Sequence, residues 1–175
     1  MTPAGTRSAR ADEVVAEGRR LLEEEGPEAL TMRRLADRLG IRAPSLYKHL
    51  PGKPALEAAI IATGLEESAA AFEAAVDGAA DPLPALAAAY RGFALAHPHL
   101  YRLMHDGPLP RQHLPPGLED RAAAPVLRVT GSRARARALW AFAHGMVMLE
   151  LDQRFPPDAD LDAAWRAGVA AFQPP

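Results

Sequence analysis

The sequence predicts an all-α chain in two parts, a three-helix unit in residues 1–54 and a larger helical domain in residues 55–175. Three observations carry that prediction. Alanine makes up roughly a fifth of the 175 residues and β-branched residues are sparse, which favours helix over strand. Apolar residues recur at the 3.6-residue spacing of an amphipathic helix along nearly every periodic segment. Glycine and proline punctuate the chain where one helix must stop and the next begin, first at Gly26-Pro27, Gly40 and Pro51-Gly52.

The first helix is expected from Ser8 to Glu25, because Val14, Val15, Gly18, Leu21 and Leu22 fall on one face. Gly26-Pro27 ends it. Thr31 reads as the N-cap of a short helix, Met32 to Leu39, with Leu35, Ala36 and Leu39 turned inward. Gly40 can adopt the left-handed conformation that closes a helix into a tight turn. Pro44 suits the first turn of a third helix running to about His49, with Leu46 and Leu50 as its buried face. Ile41 should point inward, leaving Arg42, Ala43, Ser45 and Lys48 exposed. A long Ala-rich helix then begins near Lys53 and continues to Val76.

Further along, Pro84 to Ala96 forms a helix whose Leu86, Tyr90, Phe93 and Ala94 share a stripe. Pro98 restarts the chain into a short helix through Met104. Residues 106–118 hold four prolines and two glycines and read as a loop. Leu118 to Thr130 is helical with a kink or break expected at Pro125. Ser132 caps a helix reaching about Arg154, and Asp160 to Phe172 is the last.

Composition excludes several classes. With no cysteine, there are no disulfides, thiolate metal sites or cysteine nucleophiles. Apolar residues at 49% and charged residues at 24% are those of a folded globular chain. No segment approaches the roughly 18 uninterrupted apolar residues of a membrane helix. Met1 to Arg10 is basic but is followed by Asp12, Glu13 and Glu17 instead of an apolar run, so no signal peptide is expected and the chain reads as cytoplasmic. The net charge of −2 conceals an asymmetry: residues 1–55 carry +2 and residues 56–175 carry −4. Arg33, Arg34, Arg38, Arg42, Lys48 and Lys53, against Asp37 alone, give +5 across 33–53.

Two short helices joined by a glycine turn, behind a longer one, describe a helix-turn-helix. Such a unit enters a DNA major groove when the start of its last helix is small or polar and its flanks meet phosphates. Ala43 and Ser45 allow close approach, and Arg42 and Lys48 can reach base edges or phosphates. Tyr47 and His49 can donate to phosphate oxygens. Lys53 stands at a helix N-terminus, where the dipole already favours an anion. The competing reading is a solvated basic face on a helical bundle.

The run LTMRRLADRLGIRAPSLYKHLPGKPAL, from Leu30 to Leu56, resembles the DNA-binding domain of the TetR family of bacterial transcriptional regulators. The shared features are the threonine cap, the LA..LG turn, the small-residue start of the third helix, the L-Y-x-H core and the lysine after a short turn. The resemblance covers about residues 8–60. It implies that Thr31 and Arg33 lie near phosphates, that Arg42, Ala43 and Ser45 face bases, and that Tyr47, His49 and Lys53 clamp the backbone. Leu50 stands where Phe is commonest and Pro54 where Glu is usual. Leu50 keeps the apolar character, and proline suits a first helical turn.

The segments HPHLYRLM at 97–104 and WAFAHGMVMLEL at 140–151 resemble, more faintly, a regulatory-domain subtype with a Trp-His-Gly signature, here Trp140, His144 and Gly145. Gly145 would let another helix approach closely. The resemblance implies that 133–154 and 159–172 pack into a four-helix dimer interface, with Leu139, Phe142, Met146, Leu149, Leu161, Trp165, Val169 and Phe172 supplying the surface. Tyr90, Phe93, Tyr101, Met104, Trp140, His144 and Met148 are candidates to line a mostly apolar effector pocket, implying a hydrophobic or aromatic ligand. The whole reads as a homodimeric, ligand-responsive repressor of a palindromic double-stranded DNA operator, with no cofactor.

Other chemistries fare worse. His97 and His99, with His105 or with Glu150 and Asp152, have zinc-ligand chemistry, yet a histidine pair in a helix-connecting turn most often faces solvent, so no metal is expected. Ser68 and Ser132 lack a G-x-S-x-G elbow or a nearby orienting acid, so no hydrolase is expected. The polar helix faces are not consistently basic, which disfavours a membrane-surface helix. The alternative function is a helical ligand-binding or catalytic bundle with an incidental basic N-terminus.

Overall fold

The computed structural model describes residues 8–173, and among them the regular structure is helical throughout. Residues 1–7, part of the segment expected to hold no signal peptide, lie outside the described residues. The helices are α1 (Ala9–Glu25), α2 (Met32–Arg38), α3 (Ala43–Leu46), α4 (Lys53–Val76), α5 (Pro82–Ala96), α6 (Pro98–His105), α7 (Leu118–Thr130), α8 (Arg133–Leu151) and α9 (Leu161–Ala170). Short 3₁₀ turns occupy Pro27–Ala29 and Arg111–His113.

Helix starts follow the capping residues. Ser8, Thr31, Ser132 and Asp160 each accept a hydrogen bond from the N–H three residues ahead, which removes one of the orphan donors of a helix N-terminus. α3 is shorter than expected and ends at Leu46; 47–49 continue as turns, with the His49 and Leu50 N–H groups both donating to Leu46 O at 2.9 Å. α8 likewise stops at Leu151 instead of Arg154. α7 runs without interruption from Leu118 to Thr130 although Pro125 lies inside it.

The chain divides into two compact units, each built from two stretches of sequence. One unit holds the described residues through Leu65 together with His97–Leu118. Its core includes Val14, Leu21, Leu22, Leu35, Leu46, Leu56, Ile60 and Leu100, all essentially without solvent exposure. α1 and α4 approach closely at Gly18, where a Cβ would stand 3.0 Å from Leu56 Cδ1. Ile61, Ala62, Leu114 and Leu118 form a further cluster with Leu65, Leu103, Met104 and Leu109 around it. Residues 97–118 therefore pack with the N-terminal helices, although they follow α5 in the chain.

The other unit holds Glu66–Ala96 and the described residues from Glu119 onward. Phe72 stacks on Tyr90 with ring centres 5.6 Å apart and meets Phe93 edge-on at 6.3 Å. Arg91 of α5 ties three helices together: its guanidinium donates to Glu150 of α8 at 3.0 Å and to Asp162 of α9 at 2.5 Å, 5.8 Å from the centre of the Trp165 ring. The hydrogen bond from Arg91, with its charge, holds the Asp162 carboxyl below the ordinary carboxylate range. α8 and α9 lie so close that a Cβ at Gly168 would run into the Phe142 ring.

Candidate nucleic-acid interface

The helix-turn-helix is built from local bonds first. Thr31 starts α2, and Gly40, at φ 64°, lets the chain turn so that Ile41 N–H donates to Ala36 O at 3.0 Å. That bond sets where α3 begins. Leu35, Ala36, Leu46 and Leu50 are then buried together, which fixes α3 against α2. Arg42 is the N-cap residue of α3 and makes no side-chain cap, so its guanidinium is left on the surface.

Of the expected DNA contacts, Thr31, Arg33, Arg42, Tyr47, Lys48, His49 and Lys53 are exposed, Tyr47 to 52%. Ala43 and Ser45 are half-buried instead of fully exposed, because α3 is a single turn lying low against α2. Among the described residues, Arg33, Arg42 and Lys48 have no carboxylate partner. Lys53 Nζ lies 3.6 Å from Glu57 one turn along α4, an exposed pair that costs little to open.

Two of the six basic residues counted in the sequence are otherwise engaged. Arg38 donates from Nε to Glu17 Oε1 at 2.6 Å and from Nη1 to Glu24 Oε2 at 2.7 Å and Glu25 Oε1 at 3.1 Å. Arg34 pairs with Glu25. Hydrogen bonds to Glu24 and Glu17 push the Arg38 guanidinium still further above its ordinary value. Burial alone would raise the Glu17 carboxyl, but hydrogen bonds from Arg20 and Arg38, and their charges, hold it below its ordinary 4.5. These arginines bolt α2 to α1, and the outward positive charge resides on Arg33, Arg42, Lys48 and Lys53.

The glutamates of α1 were missed from sequence although a signal was present. Glu17 and Glu24 are seven apart, hence on one helix face, and Arg34 and Arg38 are four apart on the next helix. Matching acidic and basic pairs at helical spacing mark two faces that meet.

The residues assigned to an effector pocket divide between the units. Tyr101 and Met104 belong to the N-terminal unit, and Tyr90, Phe93, Trp140, His144 and Met148 to the other. Tyr90 and Tyr101 are buried, whereas Trp140 is 50% exposed, with His144 beside it at 6.1 Å between ring centres. Burial lowers the His144 pKa, keeping the ring neutral. One groove of about 380 Å³ lies between α5 and α9 and is lined by Ala87, Arg91, Trp165 and Val169; of the pocket candidates it contains none.

The residues assigned to a dimer surface also divide. Leu139, Trp165 and Val169 are core, each at most 5% exposed, so little of them remains for a partner. Phe142, Met146, Leu161 and Phe172 are half-buried and Leu149 is 43% exposed. A Cβ at Gly145, expected to admit another helix, would meet no atom of another element within 4 Å among the described residues. His97 and His99, expected to face solvent, are half-buried. Among the described residues, no three histidine or acidic side chains are placed to hold a metal ion.

Known proteins resemble this chain in sequence and in fold. A family model described as "Bacterial regulatory proteins, tetR family" matches residues 14–60, and one described as "Tetracyclin repressor-like, C-terminal domain" matches residues 83–172. The chain belongs to the TetR family. The HTH-type transcriptional regulator Rv0681 of Mycobacterium tuberculosis, itself uncharacterized, is 32% identical over 155 residues, covering 82% of this chain and 71% of that protein. The HTH-type transcriptional regulator Rv1816 of the same organism is 29% identical over 124 residues, covering 68% of this chain and 52% of its own length. The chain thus spans about half the length of the first curated relatives it matches. A solved structure of a protein with unknown function from Rhodococcus sp. RHA1 superimposes with a TM-score of 0.77 at 26% identity, covering 98% of this chain and 97% of the other. The curated relatives it matches are named as HTH-type transcriptional regulators. No helix among the described residues is long and apolar enough to cross a membrane.

Proposed function

We propose that this TetR-family chain is a cytoplasmic, effector-responsive repressor that binds a palindromic operator as a homodimer. Residues 1–54 read DNA and residues 55–175 hold the regulatory and dimerisation helices. The observation that carries the reading is the separation of charge on the helix-turn-helix: Arg34 and Arg38 are bound to α1, while Arg33, Arg42, Lys48 and Lys53 stand with Tyr47 and His49 around α3. Arg42 and Ser45 then read bases from the start of α3, and Thr31, Arg33, Tyr47, His49 and Lys53 contact phosphates. The likeness to a tetracyclin repressor-like C-terminal domain supports the repressor sense.

α8 supports the dimer. It exposes Trp140 and Leu149, leaves open space at Gly145, and carries Arg137 near one end and Asp152 just past the other on a shared face. A second copy laid antiparallel would bring opposite charges together across an apolar centre. The proposed effector is an apolar or aromatic small molecule, in keeping with the Phe72, Tyr90 and Phe93 rings and the neutral His144.

A fluorescence-anisotropy titration against the DNA flanking the chain's own gene, and against DNA selected from a random pool, tests this function. Tight, salt-sensitive binding that survives competitor DNA is expected. Equal binding to selected and random duplexes would overturn it.

A further inference from the structure

The chain passes between its two compact units at three places: within α4 after Leu65, between Ala96 and His97, and between Leu118 and Glu119. At the second of these, α1 grips the chain just after it crosses. Leu100 N–H donates to Glu23 Oε1 at 3.2 Å, across 77 positions of sequence. The same oxygen lies 3.9 Å from His97 Nδ1 and 3.8 Å from Arg19 Nε.

The Leu100 N–H is in the first turn of α6, where backbone donors have no intrahelical partner. His97, the N-cap residue, makes no side-chain cap. Glu23 does that work from another helix, and its charge also suits the positive end of the α6 dipole. The seat is close elsewhere too. A Cβ at Gly26, the residue that ends α1, would stand 3.6 Å from His99 Cε1, and one at Gly64 of α4 would stand 2.7 Å from Met104 Sδ. Leu100 is fully buried.

We infer that Glu23 is a positioning residue of the regulatory coupling: its carboxylate caps α6 from α1, so that a displacement of the chain at the 96–97 junction is delivered to the helix-turn-helix unit. This inference rests on the proposed effector-responsive dimer. Loosening the cap leaves each helix-turn-helix able to bind its half of the operator while releasing the constraint that holds two of them at one spacing.

The test uses the full chain as wild type, Glu23→Ala and Glu23→Gln. Two DNA probes are needed: the palindrome that the wild type selects from random sequence, and a duplex carrying only one half of it. In Glu23→Ala, amide exchange over 98–105 should rise about tenfold, while exchange over 32–46 stays within about twofold. Affinity for the palindrome should fall several-fold with half-site affinity unchanged. Glu23→Gln keeps an oxygen acceptor for Leu100 and should lie between wild type and Glu23→Ala on both readouts, which separates loss of the cap from loss of the fold. Unchanged exchange in α6, or an equal loss on palindrome and half-site, would overturn the inference. A wild type that binds palindrome and half-site alike would instead overturn the dimeric reading, and the exchange data would still judge the cap.

Discussion

The two sides of the helix-turn-helix carry the same residue types for opposite purposes. Toward α1, Arg34 and Arg38 meet Glu17, Glu24 and Glu25, and their charge is offset by carboxylates of the neighbouring helix, with only Glu17 buried among them. Around α3, Arg33, Arg42 and Lys48 meet no carboxylate among the described residues, and Lys53 has only an exposed partner one turn away. The six basic residues lie within twenty-one positions, yet a sum of charge over that stretch misstates what a ligand would meet. Charge becomes a binding feature where the fold withholds counter-ions, and a structural feature where it supplies them.

Substitutions on the two sides should therefore separate binding from stability. The largest effect is expected for Arg42→Ala, which should weaken binding to the preferred operator by about 1–3 kcal/mol and relax the preference at one base position, with no loss of melting temperature. Competition binding against a panel of single-base operator variants checks it. Arg38→Ala should do the reverse. It leaves Glu17 nearly buried with only Arg20 beside it, and the melting temperature should fall by about 3–6 °C while the refolded protein keeps its base preference.

The Glu17 cluster also predicts a pH signature. Because Glu17 titrates below its ordinary 4.5 in the folded chain, its contribution to stability is complete above that value and is lost as pH falls through the folded pKa. Melting temperatures from pH 7 down to pH 3 should converge for wild type and Glu17→Gln at the acid end. Curves that stay parallel would remove Glu17 from the account. The smallest effect is expected for Tyr47→Phe, which removes one phosphate donor and should cost a few-fold in affinity on every sequence equally.

Much of this arrangement is legible in the sequence, and the misses have physical causes. Cap and turn residues act locally, so Thr31, Gly40, Ser132 and Asp160 place helix boundaries from sequence alone. Leu46 and Leu50 are legible because their spacing is helical and their surroundings polar. The end of α3 is not, since the tertiary burial of Leu46 and Leu50 is satisfied by turns as well as by helix. Leu139, Trp165 and Val169 could not be told from interface residues, because core and interface ask for the same apolar side chains. Nor could the packing of 97–118 with the N-terminal helices be seen, as it rests on contacts distant in sequence, among them Leu114 and Leu118 with Ile61 and Ala62 and the Leu100–Glu23 hydrogen bond, that no local pattern announces.

The central claim is that the α3 side meets DNA and the α1 side does not. It is tested most directly by the salt dependence of operator affinity in wild type, Lys53→Ala and Arg34→Ala. For every phosphate that the protein no longer neutralises, the slope of log affinity against log salt should become shallower by about 0.9. The account predicts that reduction for Lys53→Ala and an unchanged slope for Arg34→Ala. A shallower slope for Arg34→Ala with Lys53→Ala unaffected would contradict it.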